Sequence, residues 1–558
     1  MMHIIFPFFE EILLIAYILG GIIVSSFIRH KQKTIQDLFK IKRAFYLLCR
    51  VTFGVLLLCL VYSLVSFSSN YNLASVCYDS LSTPAFYNVI NYQPFSTAFF
   101  RKDLVTEFFN VVLNLLVLFY LYLVYESNKI TTETSRYLLE IPVLLVTIFL
   151  SLKLFLYTYD LILIVITLEL TAFCSVVLIS LQLQAPTRVT FPLEAAVKYF
   201  IFNALAISFF LFATCSYYSF FKSVNLFDFG LFYILEPGFY FEHLETLLLT
   251  HLLFFGAYLM KLGAAPFHQW VPDVYEGSEL LITAFLVLII GPALNLKLFT
   301  LIKLLLPLGE TNSILFSFFL LAGFSSIIVG SFQAFSQTRI KRFLAYTGIT
   351  HLGYILVSLG TATFFGFFAG LFYLLSYIVT NCIFFSLLII SRRLSGLSLI
   401  YLNHLKLLFN DNVVFFLFFF IPLLSFAGFP PFAGFFSKFF ALASLVDQQH
   451  IFFVILLLGY VLISAYLYLR FIKIALFEKI TISFYLPLLQ KDPAATVTYY
   501  KFENTARPAK LIEGALRHHN VLLCILFGLN MLLIAFLGFL PLVSIALQQP
   551  LIALFLFY

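Results

Sequence analysis

Residues Tyr258 to Ser278 read YLMKLGAAPFHQWVPDVYEGS. Lys261 stands among apolar residues, Pro266 and His268 follow it, and the stretch ends in a polar, acidic turn. A lysine at mid-membrane costs roughly 2.5–3.5 kcal/mol on insertion scales, so it is rarely retained there without a use. Pro266 removes one helical hydrogen bond and crowds the preceding turn, which should open backbone carbonyls near that lysine. A charged group beside a broken helix in lipid is the arrangement expected of an ion pathway.

The rest of the chain makes lipid the solvent. Of 558 residues, 62% are hydrophobic and 11% charged, with a mean hydropathy of +1.03. An ordinary soluble domain is about 25% charged. The net charge of +7 is small and interleaved with apolar runs, so nucleic acid is not an expected partner. The first 30 residues carry Glu10 and Glu11 and no signal-like pattern, so no cleaved leader is expected. The seven cysteines form no CxxC pair and read as buried thiols, without a metal site or disulfide framework.

A crossing needs about 20 largely apolar residues. Runs of that kind fall near 6–28, 44–68, 104–125, 138–157, 160–182, 194–219, 245–268, 280–305, 312–335, 343–361, 363–390, 413–440, 450–475 and 519–547. The expected fold is therefore an all-α polytopic membrane protein of about fourteen helices. Alternate connections, after the first, third, fifth, ninth, eleventh and thirteenth runs, carry 23 of the 33 basic residues when Arg470 and Lys473 at the end of the thirteenth run are counted with the last of them; the opposite side carries Arg101, Lys102 and Lys222. Positive charge marks the cytoplasmic or matrix side, so both termini are expected on the other face. Arg50, Lys153, Lys198, Lys261, Lys297, Lys303 and Lys438 lie inside apolar runs. Arg50, Lys153 and Lys303 are close to run ends and are expected to snorkel to the interface.

The pattern around Lys261 has a counterpart. Leu423–Phe440, LLSFAGFPPFAGFFSKFF, sets Pro430, Pro431, Gly428 and Gly434 before Lys438. Paired interrupted spans in two halves are the sequence pointer to a transporter built from repeats. The expected domains are three N-terminal helices with their loops (1–137), a first five-helix repeat (138–308), a second (309–476), and a basic loop with a last helix (477–558). Helices seven and twelve are expected to be discontinuous.

Glu169, in LIVITLELTAF (Leu163–Phe173), could join Lys198, Lys261 and Lys438 in a polar row at half-membrane depth. Burial disfavours the charged form of each, and an opposite charge nearby favours it. A lysine whose counter-charge approaches or withdraws is thus a proton acceptor of adjustable affinity, a role closed to arginine. His251, His268 and His351 could relay protons near neutral pH. Two simpler readings stand beside these: Glu194 and Lys198 as a local helical pair, and His268 as an interfacial cap.

Together with LEAAVKYF (Leu193–Phe200), QTRIKRFLAYTGITHLGYIL (Gln337–Leu356) and SAYLYLRFIK (Ser464–Lys473), the two interrupted blocks resemble the NADH dehydrogenase subunit 2 family of respiratory complex I, NADH:ubiquinone oxidoreductase. The resemblance runs over roughly residues 138–475, and the wider family includes Mrp-type cation/proton antiporters. It implies an antiporter-like inverted repeat, and proton translocation driven by electron transfer elsewhere in the complex. It pairs Glu169 with Lys198, makes Lys261 the central lysine with His268 downstream, and makes Lys438 the terminal one. The family's eighth-span lysine falls on Gly291, leaving Lys297 in a shifted register or a link made by water. The resemblance also implies no cofactor on this chain, with FMN, iron–sulfur clusters and ubiquinone elsewhere in the complex. Its partners would be neighbouring antiporter-like and small membrane-arm subunits and lipids such as cardiolipin. The location implied is the mitochondrial inner membrane, termini toward the intermembrane space, with a bacterial plasma membrane as the alternative.

Overall fold

Where the structure describes them, the runs above fold as helix, because a chain in lipid has no water to satisfy its N–H and C=O groups and must do so within each segment. The computed structural model describes residues 9–29, 35–79, 100, 102–128, 139–181, 190–226, 228–229, 244–305, 313–395, 401–402, 413–430 and 432–476. The fourteenth run (519–547) and the basic loop lie outside these residues. Among the described residues there is no sheet, only isolated bridges such as Phe100 with Thr158 and Asp160 with Asn225.

The helices are α1 Phe9–Arg29, α2 Ile35–Asp79, α3 Leu104–Asn128, α4 Glu140–Tyr157, α5 Leu161–Ser180, α6 Thr190–Phe221, α7 Leu244–Leu262 and α8 Trp270–Gly277. Then come α9 Leu280–Phe285, a π-helical turn Leu286–Ile290, α10 Gly291–Leu305, α11 Ser313–Ser336, α12 Ile340–Gly360, α13 Phe364–Ser395, α14 Val413–Ala427, α15 Ala433–Asp447 and α16 Ile451–Leu476. Among the described residues, twelve stretches are long and apolar enough to cross a membrane. The seventh expected span stops at Leu262, before its proline, and the twelfth is divided into two 15-residue helices.

The tight turn between α4 and α5 is closed by Asp160, whose carboxylate accepts the N–H groups of Ile162 (2.9 Å) and Leu163 (3.4 Å). That satisfies two donors the first turn of a helix otherwise leaves open. The α9–α10 span is the axle of the bundle: in an 18-residue window of Leu280–Ile302, 94% of residues are buried, against 22% in such a window of Ile451–Ile474 in α16. Alongside it, α11 and α12 cross backbone to backbone. A methyl group on Gly323 would meet Val357 N at 2.8 Å, and one on Gly330 would meet Tyr346 O at 2.7 Å. Small residues at such crossings replace the hydrophobic drive that lipid removes.

Lys153 departs from expectation. It is 0% exposed and its amine meets the carboxylate of Glu10 from α1. The lysine does not reach an interface because α1 brings it an acid.

Candidate functional site

The break after α7 closes on itself. Gly263 takes a left-handed conformation (φ +75°), open to glycine at no steric cost, and its N–H donates to Met260 O (3.2 Å). Ala264 N–H donates to Leu259 O (3.0 Å), and the Trp270 indole N–H to Met260 O (3.0 Å). The chain then passes through a cis Ala265–Pro266 peptide bond into α8. With those carbonyls served, Lys261 turns elsewhere: buried, it donates from Nζ to Leu168 O of α5 at 3.0 Å, one residue before Glu169. Glu169 itself is half-buried and makes no ion pair among the described residues.

The break between α14 and α15 uses its lysine instead. Lys438 lies on α15 and donates from Nζ to Phe426 O, Ala427 O and Ser464 Oγ, each at 2.9 Å. Gly428 is left-handed (φ +85°), and a methyl group there would meet Lys438 Cδ at 3.0 Å. The amine therefore fills the gap left by the interrupted helix.

Between the two breaks lies space for water. A cavity of about 80 Å³ is bounded by Lys261, Tyr199, Trp270, Tyr275, Asn295 and Tyr377, among others. One water needs roughly 10–15 Å³ of such space and two to four polar partners, so several fit. Asn295 Oδ1 there has no protein partner among the described residues. A second cavity of about 10 Å³, room for one water, is lined by Tyr377, His351, Ser437 and Lys438. Tyr377 is common to both. His351 is buried with both ring nitrogens engaged: Nδ1 with Tyr373 Oη (2.8 Å) and Nε2 with Tyr468 Oη (2.9 Å).

The remaining expected residues lie apart from this line. Lys198, with a side chain 38% exposed, pairs with Glu194 (2.8 Å) and with Asp273 of α8 (2.7 Å); the expected Glu169–Lys198 pair is not formed in this structure. Asp273 also holds Arg342 of α12 (3.0 Å), and Glu276 holds Arg339 and Arg342, making a charged patch on the face of the basic loops. His268 is half-buried in the turn before α8, its Nδ1 without a protein partner among the described residues. His251 is buried and bonded to Leu247 O of its own helix at 2.6 Å. Lys297 is not among the residues around the large cavity. Its amine points to the end of α4, donating to Leu156 O (3.2 Å) and Thr158 O, with the Tyr159 ring 4.8 Å away.

Sequence reading missed Tyr377, Tyr373, Tyr468 and Asp273. Asp273 had a signal, an acid at the start of a short helix within the deciding stretch; the tyrosines, in a chain with 32 of them, had none. It also missed the π-helical turn, which Gly291–Pro292 foreshadows: a proline cannot supply its hydrogen bond, and the ladder widens just before it.

A family model described as NADH:quinone oxidoreductase/Mrp antiporter, TM, matches residues 158–464. The chain belongs to this family. Both breaks, both cavities and the line from Glu169 to Lys438 fall inside the matched region, with Tyr468 just beyond its end. Among relatives, NADH-quinone oxidoreductase subunit N of Ruthia magnifica subsp. Calyptogena magnifica is 32% identical over 318 residues, 56% of this chain and 64% of that one. The match thus spans a little under two thirds of that relative. NADH-ubiquinone oxidoreductase chain 2 of Metridium senile is 31% identical over 294 residues, 52% of this chain and 71% of that one. Two solved structures share the antiporter-like fold. A chain of respiratory complex I from Thermus thermophilus with bound aureothin has a TM-score of 0.62 at 24% identity, covering 85% of this chain and 91% of that one. A chain of the Mrp complex from Dietzia sp. DQ12-45-1b has a TM-score of 0.64 at 17% identity, covering 85% and 81%.

Proposed function

We propose that this multi-pass membrane protein moves protons across the membrane as an antiporter-like subunit of respiratory complex I, driven by electron transfer on other subunits. The observation that carries the reading is the pair of cavities meeting at Tyr377. Tyr377 lines both: the cavity at Lys261 has room for several waters, and the one at His351 and Lys438 has room for one.

In this reading the charged patch of Lys198, Asp273 and Arg342 is the end facing the basic loops, and electron transfer shifts the charge balance there and at Glu169. Lys261 takes a proton when Glu169 stabilises its ammonium and yields it to cavity water when that help is withdrawn. Tyr377, His351 and its two tyrosine partners pass the proton to Lys438. Moving a charge against about 100 mV costs roughly 2.3 kcal/mol. A change in proton affinity of about two pKa units, roughly 2.7 kcal/mol, is enough at one site. His268, His251 and Lys297 are secondary in this scheme.

The two five-helix repeats, 138–308 and 309–476, would each contribute one broken helix. The chain would carry no redox centre of its own, with FMN, iron–sulfur clusters and quinone on partner subunits. Neighbouring antiporter-like and small membrane-arm subunits and cardiolipin-like lipids would surround it. The mitochondrial inner membrane is the location we favour, with a bacterial plasma membrane as the alternative.

The deciding experiment reconstitutes the complex in sealed vesicles and measures proton uptake per NADH oxidised. Glu169→Gln is expected to lower that ratio while the protein still assembles; an unchanged ratio sinks the proposal. A second reading, a cation/proton antiporter, is favoured by the Mrp half of the family description and by the fold shared with the Mrp complex. It requires sodium-driven proton movement by the isolated chain in vesicles without NADH.

A further inference from the structure

A second polar cluster lies among α1, α2, α3 and α4, before residue 158, where the family match begins. Glu10 and Glu11 from α1, Glu107 from α3 and Lys153 from α4 are 1%, 4%, 2% and 0% exposed. Lys102, just before α3, reaches Glu11 at 3.2 Å, and Lys153 meets Glu10. Each lysine therefore has one carboxylate among the described residues. Glu107 has no lysine at ion-pair distance among the described residues; it accepts a hydrogen bond from Ser66 Oγ at 3.0 Å.

The charges in this cluster do not balance. Among the described residues, three buried carboxylates and two ammonium groups leave one negative charge uncompensated. An unpaired ion in such a place costs several kcal/mol, and a group so placed neutralises itself. Around it are buried polar atoms with no protein partner among the described residues: Glu10 Oε1, Glu11 Oε2, Asn110 Oδ1 and Asn114 Oδ1. Buried polar atoms in native proteins are nearly always bonded, so these point to water or a mobile proton at the cluster. Tyr62 and Cys59 of α2, Tyr157 of α4 and Asp103 beside Lys102 are the other ionisable groups facing it.

We propose that Glu107 holds an exchangeable proton at a site separate from the Lys261–Lys438 line, on the face opposite the basic loops. Release leaves the carboxylate of Glu107 and delivers the proton to water at the rim, where Lys102 and Asp103 are partly exposed; uptake is the reverse. The site also communicates inward. Asp103 Oδ2 accepts the Tyr159 hydroxyl at 3.1 Å, and the Tyr159 ring lies 4.8 Å from Lys297 Nζ. Lys297, left aside by the main line, thereby becomes the inner neighbour of this cluster.

The test uses the full-length chain in its membrane complex with electron transfer blocked, so its outcome is independent of whether protons are pumped. Infrared spectra of wild type and Glu107→Gln are compared, and dicyclohexylcarbodiimide labelling of Glu107 is followed by peptide mass spectrometry from pH 6 to pH 9. The site predicts that the substitution removes one protonated-carboxyl C=O band, which shifts in D₂O. It also predicts labelling that falls about tenfold per pH unit above its midpoint. Glutamine keeps the shape and the Ser66 contact, and native gel migration confirms assembly. An unchanged carboxyl band in the variant overturns the proposal. So does protection of Glu107 from labelling by sodium at fixed pH, which marks a cation site.

Discussion

The two broken helices use the same parts in opposite ways. At the first, the freed carbonyls are served by Gly263, Ala264 and the Trp270 indole, and Lys261 reaches across to α5 and a roomy cavity. At the second, Lys438 itself serves the freed carbonyls of Phe426 and Ala427, beside a space for one water. A lysine at a helix break can thus be a free proton carrier or also a structural latch, depending on who satisfies the backbone.

Four substitutions put that contrast at risk. The largest effect belongs to Gly434→Ala, whose methyl would collide with Ser425 O. Backbone cannot yield that far without parting α14 from α15, so the chain should fail to accumulate, read from its abundance in isolated membranes. Lys438→Ala comes next: proton translocation is lost and stability drops by about 2–5 kcal/mol, because two buried carbonyls each forfeit about 1–3 kcal/mol of pairing. The unfolding midpoint of the purified complex reports the second part, and an unchanged midpoint refutes the latch. Lys261→Ala should abolish translocation as completely while stability moves by no more than about 1 kcal/mol, since Leu168 O keeps the Thr171 hydroxyl as a partner (2.8 Å) and is not left unsatisfied. A large loss of stability there would erase the distinction between the breaks. Lys198→Ala is the smallest: its pairs are over a third exposed, and such pairs contribute about 0–1 kcal/mol. Its expected effect is a few-fold loss of pumping rate with an unchanged midpoint.

Both breaks were legible because glycine and proline interrupt apolar runs at fixed places, and run length alone located the crossings. Rotation of each helix about its axis was not legible. A helix that meets lipid on one side and other helices on the other is apolar all round, and amphipathic periodicity, which betrays the inner face in water, is absent. Hence Lys153, near a run end, read as snorkelling while α1 buries it against Glu10, and Lys198 read as buried while it pairs at the charged face. Lys297 suffered similarly: its spacing showed it off the face of Gly291, yet only the packing of α10 against α4 reveals where its amine goes.

The glycine crossing of α11 and α12 has a mechanical corollary. Arg342, clamped to Asp273 and Glu276 at one end of α12, and His351, wedged between Tyr373 and Tyr468, are nine residues apart on one rod. At 1.5 Å per residue that is about 13.5 Å of uninterrupted α-helix, braced along its flank where backbones touch. A tug on the clamp has little slack to absorb it and arrives at the histidine as a shift of the whole strut.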